Sequence, residues 1–207
     1  MKHALLVHGL GRMPFSMTPL AGPLQKLGYR PRYFMYSATI ERLPDIVSRL
    51  VRKLKTVKPQ VVIGHSLGGV LLRFALAQCP ELEIEHFFML GTPNQSPRVA
   101  RYFWNWWAFR MFSQSCGAFL ASPDAYRTLP VPTVPYTVFA GSYGLPVWMD
   151  PFKGEPNDRI VAVSETVIED NHPPVLVPAE HSLITYSRTV RSLIVEQLSK
   201  SCECSSS

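Results

Sequence analysis

The stretch that decides the fold is Val61-Val62-Ile63-Gly64-His65-Ser66-Leu67-Gly68-Gly69-Val70-Leu71-Leu72. It begins with three β-branched residues, which are typical of a buried strand, and it ends in an apolar run that predicts a helix. Between the two stands a Gly-x-Ser-x-Gly pattern. A serine on such a tight strand-to-helix turn has its hydroxyl held above the sheet, an arrangement called a nucleophile elbow. The stretch therefore predicts Ser66 as a nucleophile.

Short apolar runs alternate with helical patterns on both sides of this stretch. This alternation is typical of a mostly parallel six-stranded sheet, class α/β, with helices on both faces. The predicted strands are Ala4–Val7, Arg32–Tyr36, Gln60–Ile63, His86–Leu90, Pro135–Ala140 and Pro174–Val177. The predicted helices are Met17–Leu27, Pro44–Val57, Leu67–Gln78, Val99–Leu120 and Leu183–Leu198.

The length and composition suit one globular domain. The chain has 207 residues, of which 46% are hydrophobic and 17% are charged, and a domain usually takes about 100 to 200 residues. We expect residues 1–200 to form this domain, with 92–132 as a small cap or substrate wall. Residues 201–207 are expected to be a disordered tail.

Positive charge is concentrated near the start of the chain. Residues 1–60 contain eleven basic and two acidic side chains, although the whole chain carries only +6. A helix in this part bears five of the basic residues, which are Arg49, Arg52, Lys53, Lys55 and Lys58. A solvated helix face explains them best, with peripheral contact to an anionic membrane as the alternative. We do not expect nucleic-acid binding, because the basic residues lack interleaved aromatics. The oligomeric state is left open.

Cysteines and hydrophobic runs bear on the compartment. The four cysteines show neither a disulfide framework nor a zinc-ligand spacing, and the amino-terminal apolar run is too short for a signal peptide. No uncharged stretch of about 18 apolar residues occurs. A soluble cytoplasmic protein with free thiols is expected, and neither a metal nor another cofactor is required.

A serine hydroxyl needs a general base, which in this arrangement is a histidine oriented by a carboxylate. Of the six histidines, His172 and His181 remain once those in strands and in other motifs are set aside. His181 is preferred because it follows the last predicted strand. The order Ser, acid, His places the acid between Ala140 and His181. Asp158 is the first choice there and Asp170 the second.

The run His8-Gly9-Leu10-Gly11 directly follows the first strand. Acyl transfer requires two N–H donors aimed at the developing oxyanion, one from the residue after the nucleophile and one from a neighbouring loop. The backbone N–H groups of Leu67 and Leu10 are predicted to be these donors. His8 is expected to support the loop through hydrogen bonds.

Five motifs, taken in order, resemble those of the α/β-hydrolase superfamily, and most of all its small lipases and esterases. They are His8-Gly9, Gly64-His65-Ser66-Leu67-Gly68-Gly69, Leu90-Gly91-Thr92-Pro93-Asn94, Asn157-Asp158-Arg159-Ile160-Val161 and Glu180-His181-Ser182. The resemblance implies a Ser66, Asp158, His181 triad and hydrolysis of an acyl ester. One departure is Arg159, where members of the superfamily often have glycine.

The aromatic run 101–112 carries large apolar groups on more than one helix face. A wall facing the substrate or lipid and a helix packed on both sides are equally compatible with it. On the first interpretation Phe103, Trp104, Trp107 and Met111 bind substrate. The predicted function is hydrolysis of a hydrophobic carboxylic ester, a small molecule or a lipid. Thioesterase and acyltransferase activities use the same parts, and a non-catalytic ligand-binding protein on this scaffold is a further alternative.

Overall fold

The computed structural model describes residues 2–144 and 151–204, with the backbone alone for 201–204. Its strands are β1 (Lys2–Val7), β2 (Tyr29–Phe34), β3 (Val61–His65), β4 (His86–Leu90), β5 (Tyr136–Gly141) and β6 (Val175–Val177). The α-helices are α1 (Ala21–Lys26), α2 (Leu43–Val57), α3 (Leu67–Leu76), α4 (Arg98–Phe103), α5 (Trp107–Leu120), α6 (Pro123–Tyr126) and α7 (Arg188–Cys204). Within the described ranges, 3-10 helices cover Pro14–Leu20, Val163–Thr166 and His181–Tyr186.

The six strands form one sheet in the order β2-β1-β3-β4-β5-β6, and every described pairing is parallel. The predicted fold class is confirmed. After β1 the chain builds outward to β2 and then returns to add β3 on the other side. In open parallel sheets a crevice forms at the carboxyl ends of the two strands where the direction reverses. The loops after β1 and β3 therefore meet there, and these loops carry Leu10 and Ser66.

Alternate residues along the strands serve two separate apolar layers. Leu5 and Val7 pack in the layer that includes α2 and α3, whereas Ala4 and Leu6 pack in the layer that includes α1 and α7. The strands are apolar on both faces because helices cover both, as expected for a parallel sheet. This double burial fixes the carboxyl edge of the sheet as a rigid platform.

The segment between β4 and β5 differs from its prediction. One helix was expected over Val99–Leu120, but α4 and α5 are separate, and Gln114 inside α5 has φ 41° and ψ −127°, outside the helical region. The Gln114 side chain donates a hydrogen bond to the carbonyl of Thr39. Hydrophobic periodicity identified the helical character of the segment but not these two interruptions, because neither a proline nor a glycine marks them.

The last helix continues to Cys204, four residues into the predicted tail, and residues 205–207 lie outside the described part. In the described part of the chain, the structure contains no helix with the length and hydrophobicity needed to span a membrane.

Candidate active site

Ser66 occupies the turn between β3 and α3 with φ 52° and ψ −124°, a strained conformation for a residue with a side chain. The flanking glycines permit this turn. A Cβ added to Gly64 would lie 2.5 Å from the Cα of Gly69, and one added to Gly68 would lie 2.3 Å from the carbonyl oxygen of Val7. Since both obstacles are backbone atoms, only glycine fits at these two positions.

His181 begins the 3-10 helix that follows β6. Its Nε2 lies 2.9 Å from Ser66 Oγ, and its Nδ1 lies 2.7 Å from Asp158 Oδ2. An ionised carboxylate can only accept a hydrogen bond, so Nδ1 carries the proton and Nε2 is left as the acceptor facing the serine hydroxyl. This is the tautomer that a base acting on Ser66 needs.

Asp158 is buried, and both of its carboxylate oxygens are hydrogen-bonded. Oδ1 accepts from the backbone N–H groups of Ile160 at 3.1 Å and Val161 at 2.7 Å, while Oδ2 faces His181. The backbone N–H of His181 also donates to the carbonyl of Asp158 at 3.0 Å. The loop thus fixes the position of the carboxylate before any substrate arrives.

The other candidates for the acid and the base lie elsewhere. Asp170 is exposed, and His172 stacks on Tyr136 with ring centroids 4.2 Å apart at the beginning of β5. Asp150 lies outside the described residues. The remaining carboxylates have other partners: Glu155 and Glu165 bond Arg98, Glu169 accepts from Tyr136, and Glu180 pairs with Arg159.

Arg159 stands where the resemblance favours glycine, and its φ is 82°. This left-handed conformation explains why glycine suits the position. Here the ion pair with Glu180, at 2.9 Å, secures the arginine instead. The pair links the loop of the acid to the residue immediately before His181.

His65 contributes in a way that the sequence analysis missed. Its Nε2–H donates to the carbonyl of His181 at 2.9 Å, and the two imidazole centroids are 5.1 Å apart. Burial first, and then the nearby His181, holds the pKa of His65 well below its ordinary value, so the ring stays neutral. A histidine beside Ser66 in sequence thus positions the backbone of His181, the candidate base. No sequence signal distinguishes this role from simple packing.

The loop after β1 is held by His8. His8 Nδ1 lies 3.0 Å from the carbonyl of Gly9, its ring stacks on Tyr36, and the Tyr36 hydroxyl donates to the His8 carbonyl at 2.9 Å. Among the hydrogen bonds of the described residues, none uses the N–H of Leu10 or of Leu67. Both groups therefore remain available as donors near Ser66.

A cavity of about 290 Å³ opens beside Ser66 and His181. Its wall is mostly apolar and includes Leu10, Pro93, Val99, Phe103, Phe109 and Val161. Of the predicted substrate-binding residues, Phe103 lines it. Among the described residues Trp104, Trp107 and Met111 do not; Trp104 is half-buried near Gly117, and Trp107 and Met111 are 69% and 62% exposed. Within the described ranges no group of three His, Cys, Asp or Glu side chains is placed to hold a metal ion.

No protein-family model and no curated protein sequence matches the chain significantly. Solved structures do match. The mature lipase BlEst2 of Bacillus licheniformis superimposes with a TM-score of 0.67 at 16% identity, over 95% of this chain and 91% of that one. An extracellular α/β-hydrolase of a Paenibacillus species gives 0.59 at 16% identity, over 97% and 99%.

The phospholipase PlaB of Legionella pneumophila, in complex with thio-NAD, gives a TM-score of 0.72 at 16% identity, over 96% of this chain and 58% of that one. At such identities the likeness concerns the fold. The chain has the α/β-hydrolase fold in a minimal, all-parallel form.

Proposed function

We propose that this protein is a serine hydrolase that cleaves a hydrophobic carboxylic ester through an acyl-enzyme. One observation carries the proposal: a continuous hydrogen-bonded chain runs from Asp158 Oδ2 through His181 to Ser66 Oγ, with links of 2.7 and 2.9 Å. A packed but inactive elbow has no need of a correctly oriented base and acid.

The geometry supports a two-step reaction. Ser66 Oγ attacks the acyl carbon while His181 Nε2 takes the hydroxyl proton, and Asp158 stabilises the imidazolium that forms. The N–H groups of Leu10 and Leu67 bind the oxyanion of the tetrahedral intermediate. His181 then returns its proton to the leaving alcohol oxygen, the acyl-enzyme remains, and a water molecule activated by the same histidine releases the acid.

The cavity wall favours an apolar acyl group. The cavity is mostly apolar and has a volume of about 290 Å³. Each methylene group of the acyl chain that it buries should improve the binding free energy by about 0.8 kcal/mol. The lipase and the phospholipase that share this fold support an ester with an apolar acyl group as the substrate. The triad alone does not select esters over thioesters, because both react through the same acyl-enzyme.

Labelling with a fluorophosphonate probe tests the proposal directly. We expect one mole of probe per mole of folded wild type and none in Ser66→Ala. Ser182→Ala is the matched control, because Ser182 also lines the cavity but its hydroxyl lies outside the hydrogen-bonded chain. Failure of the folded wild type to react would leave a non-catalytic ligand-binding protein.

A series of esters and thioesters with matched acyl chains then identifies the scissile bond. We expect kcat/KM to rise with chain length until the cavity is full. A preference for thioesters at every length would replace the ester assignment with a thioesterase. Product formed on an added alcohol, in place of free acid, would indicate an acyltransferase.

A further inference from the structure

One charged side chain interrupts the otherwise apolar and catalytic lining of the cavity. Of the described residues that line it, Arg12 alone carries a full charge at neutral pH, His65 and His181 being set aside. Arg12 follows the loop of Leu10 and is half-buried. A charge-assisted hydrogen bond from a ligand would replace water at this guanidinium.

The hydrogen bonds of Arg12 leave most of its donors unused. Nη2 donates to the carbonyl of Ser182 at 3.0 Å, and a guanidinium has five N–H donors. In the described part of the chain, no carboxylate lies within salt-bridge distance of Arg12. The side chain is anchored in position while its charge remains unneutralised.

The acidic residue just before His181 and the one that contacts its ring are already paired. Glu180, two residues before Ser182, forms an ion pair with Arg159 at 2.9 Å. Asp158 is engaged by His181 and by two backbone N–H groups. Neither is free to neutralise Arg12, so a negative group of the ligand would find the guanidinium available.

The hydrogen bond between Arg12 and Ser182 also indicates which part of the ester Arg12 would contact. His181 must return its proton to the leaving alcohol oxygen, so the alcohol portion lies on the His181 side of the acyl carbon. Arg12 is bonded to the residue that follows His181. From these positions, and resting on the proposed hydrolase function, we infer that Arg12 binds a negatively charged group on the alcohol portion of the substrate.

A carboxylate and a phosphate share the chemistry that Arg12 recognises. The planar guanidinium presents pairs of N–H donors that match two oxygens of either group, and such charge-assisted bonds are stronger than neutral ones. The substrate class is therefore an ester with an apolar acyl chain and an anionic alcohol. The anion can be a carboxylate on the alcohol or a phosphate such as that of an acylated glycerol phosphate.

The test compares esters that differ only in this charge. The carboxylate arm uses 4-nitrophenyl hexanoate and 3-carboxy-4-nitrophenyl hexanoate, corrected for their rates of alkaline hydrolysis. The phosphate arm uses monohexanoylglycerol and hexanoylglycerol 3-phosphate. We expect the wild type to prefer the charged member of at least one pair, and Arg12→Gln to reduce that preference about tenfold. The arm with the larger preference identifies the anion.

Three comparisons make the result specific to Arg12. Arg52→Gln removes the same charge from an exposed position of α2 and should leave the preference intact. Arg12→Lys should retain part of it, which separates loss of charge from misfolding. Mono-4-nitrophenyl adipate carries its carboxylate on the acyl end. Its kcat/KM should be the same in the wild type and in Arg12→Gln. Equal rates within both pairs, or a preference that Arg12→Gln leaves unchanged, would overturn the inference.

Binding to Ser66→Ala keeps this inference separate from the proposed hydrolysis. Calorimetry on that variant measures the dissociation constants of the same ester pairs without turnover. We expect tighter binding of the charged ester, and loss of the difference in the double variant with Arg12→Gln. If the wild type hydrolyses nothing but this difference persists, the hydrolase proposal fails and the anion site stands.

Discussion

Three histidines lie at the carboxyl edge of the sheet, where the parallel strands end, and three lie at the amino edge, where the strands begin. The two sets differ in the partners that their side chains contact. His8, His65 and His181 lie at or just beyond the carboxyl ends of β1, β3 and β6. At the other edge, His3 and His86 lie near the amino ends of β1 and β4, and His172 stacks against the first residue of β5.

At the carboxyl edge two of the histidines are in direct contact, and the third holds a neighbouring loop. His65 bonds the carbonyl of His181, His181 bonds Asp158 and faces Ser66, and His8 holds the neighbouring loop. Loops from several strands converge here because every strand points the same way. Asp158, His181 and Ser66 are consequently joined in one hydrogen-bonded chain, although they are far apart in sequence.

At the amino edge each histidine has a different partner, and none of these partners is a nucleophile or an acid. Arg32 donates to His3, His86 bonds the hydroxyl of Thr137, and His172 stacks on Tyr136. Within the described residues, this set contains no serine or carboxylate in line with a ring nitrogen. The same residue type therefore forms the proposed catalytic group at one edge and packs at the other, and variants at the two edges should affect different measurements.

The largest effect is expected from Asp158→Asn. An asparagine can still accept from Ile160 and Val161, so the fold should survive, but its amide N–H₂ facing His181 Nδ1 would move the imidazole proton to Nε2. His181 could then no longer accept the Ser66 proton. We expect kcat to fall about 10⁴-fold, as loss of the correct tautomer does in related triads, while the melting temperature changes little.

Asp170→Asn is the matched control for this prediction. Asp170 was the second candidate for the acid and is exposed, so kcat should stay near that of the wild type. A large loss of activity in Asp170→Asn together with a small one in Asp158→Asn would reverse the assignment of the acid.

Gly68→Ala tests whether the carboxyl edge also matters for stability. A Cβ there would lie 2.3 and 2.5 Å from the carbonyl oxygens of Val7 and His8, and backbone atoms cannot move aside cheaply. We expect a loss of about 3 kcal/mol in the free energy of unfolding, measured by urea titration. Gly22→Ala in α1 is the control, since a Cβ there meets nothing within 4 Å, and it should be neutral or stabilising.

The sequence was most informative where one short stretch controls both fold and chemistry. The β-branched run, the glycine-flanked serine and the apolar helix together identified β3, Ser66 and α3. The parallel fold class followed from the alternation of strands and helices. The structure brings Ser66, Asp158 and His181 together as expected, and their catalytic roles remain the proposal made above.

Contacts between distant segments were beyond the reach of sequence patterns. The bond from His65 to the carbonyl of His181 joins residues 116 positions apart, and no spacing rule predicts it. The strained Gln114 that interrupts α5 has no proline or glycine to mark it. The aromatic run marked an unusual surface, but only the fold shows that Phe103 faces the cavity and Trp107 does not. Contact with an anionic membrane and a cytoplasmic location stay predictions.

A smaller effect is expected at the amino edge, where His86 couples stability to pH. Burial first, and then the charge of His172, lowers the pKa of His86 to about 4 from 6.5. The unfolded chain therefore binds a proton between these values and the folded chain does not. The contribution of neutral, buried His86 to the free energy of unfolding is complete above pH 6.5, and it is lost as the pH falls toward 4.

His86→Gln should remove this acid sensitivity. We expect the drop in unfolding free energy between pH 7 and pH 4.5 to shrink by about 2 kcal/mol relative to the wild type, while kcat at pH 7 is retained. An identical drop in the variant would place the acid sensitivity in other groups. A loss of kcat would show that the two edges are coupled more closely than their contacts indicate.

The smallest effect concerns the wall of the cavity, where Phe103 and Trp107 lie four residues apart. Phe103 lines the cavity, whereas Trp107 is 69% exposed. Phe103→Ala removes apolar surface that only a long acyl chain reaches, so kcat/KM should fall about tenfold for an octanoate ester and little for an acetate ester. Trp107→Ala should change both rates equally little, because its ring contacts solvent. If Trp107→Ala selectively lowers the octanoate rate, the helix pair α4 and α5 must fold over the bound chain, and the aromatic run is then a closing wall of the site.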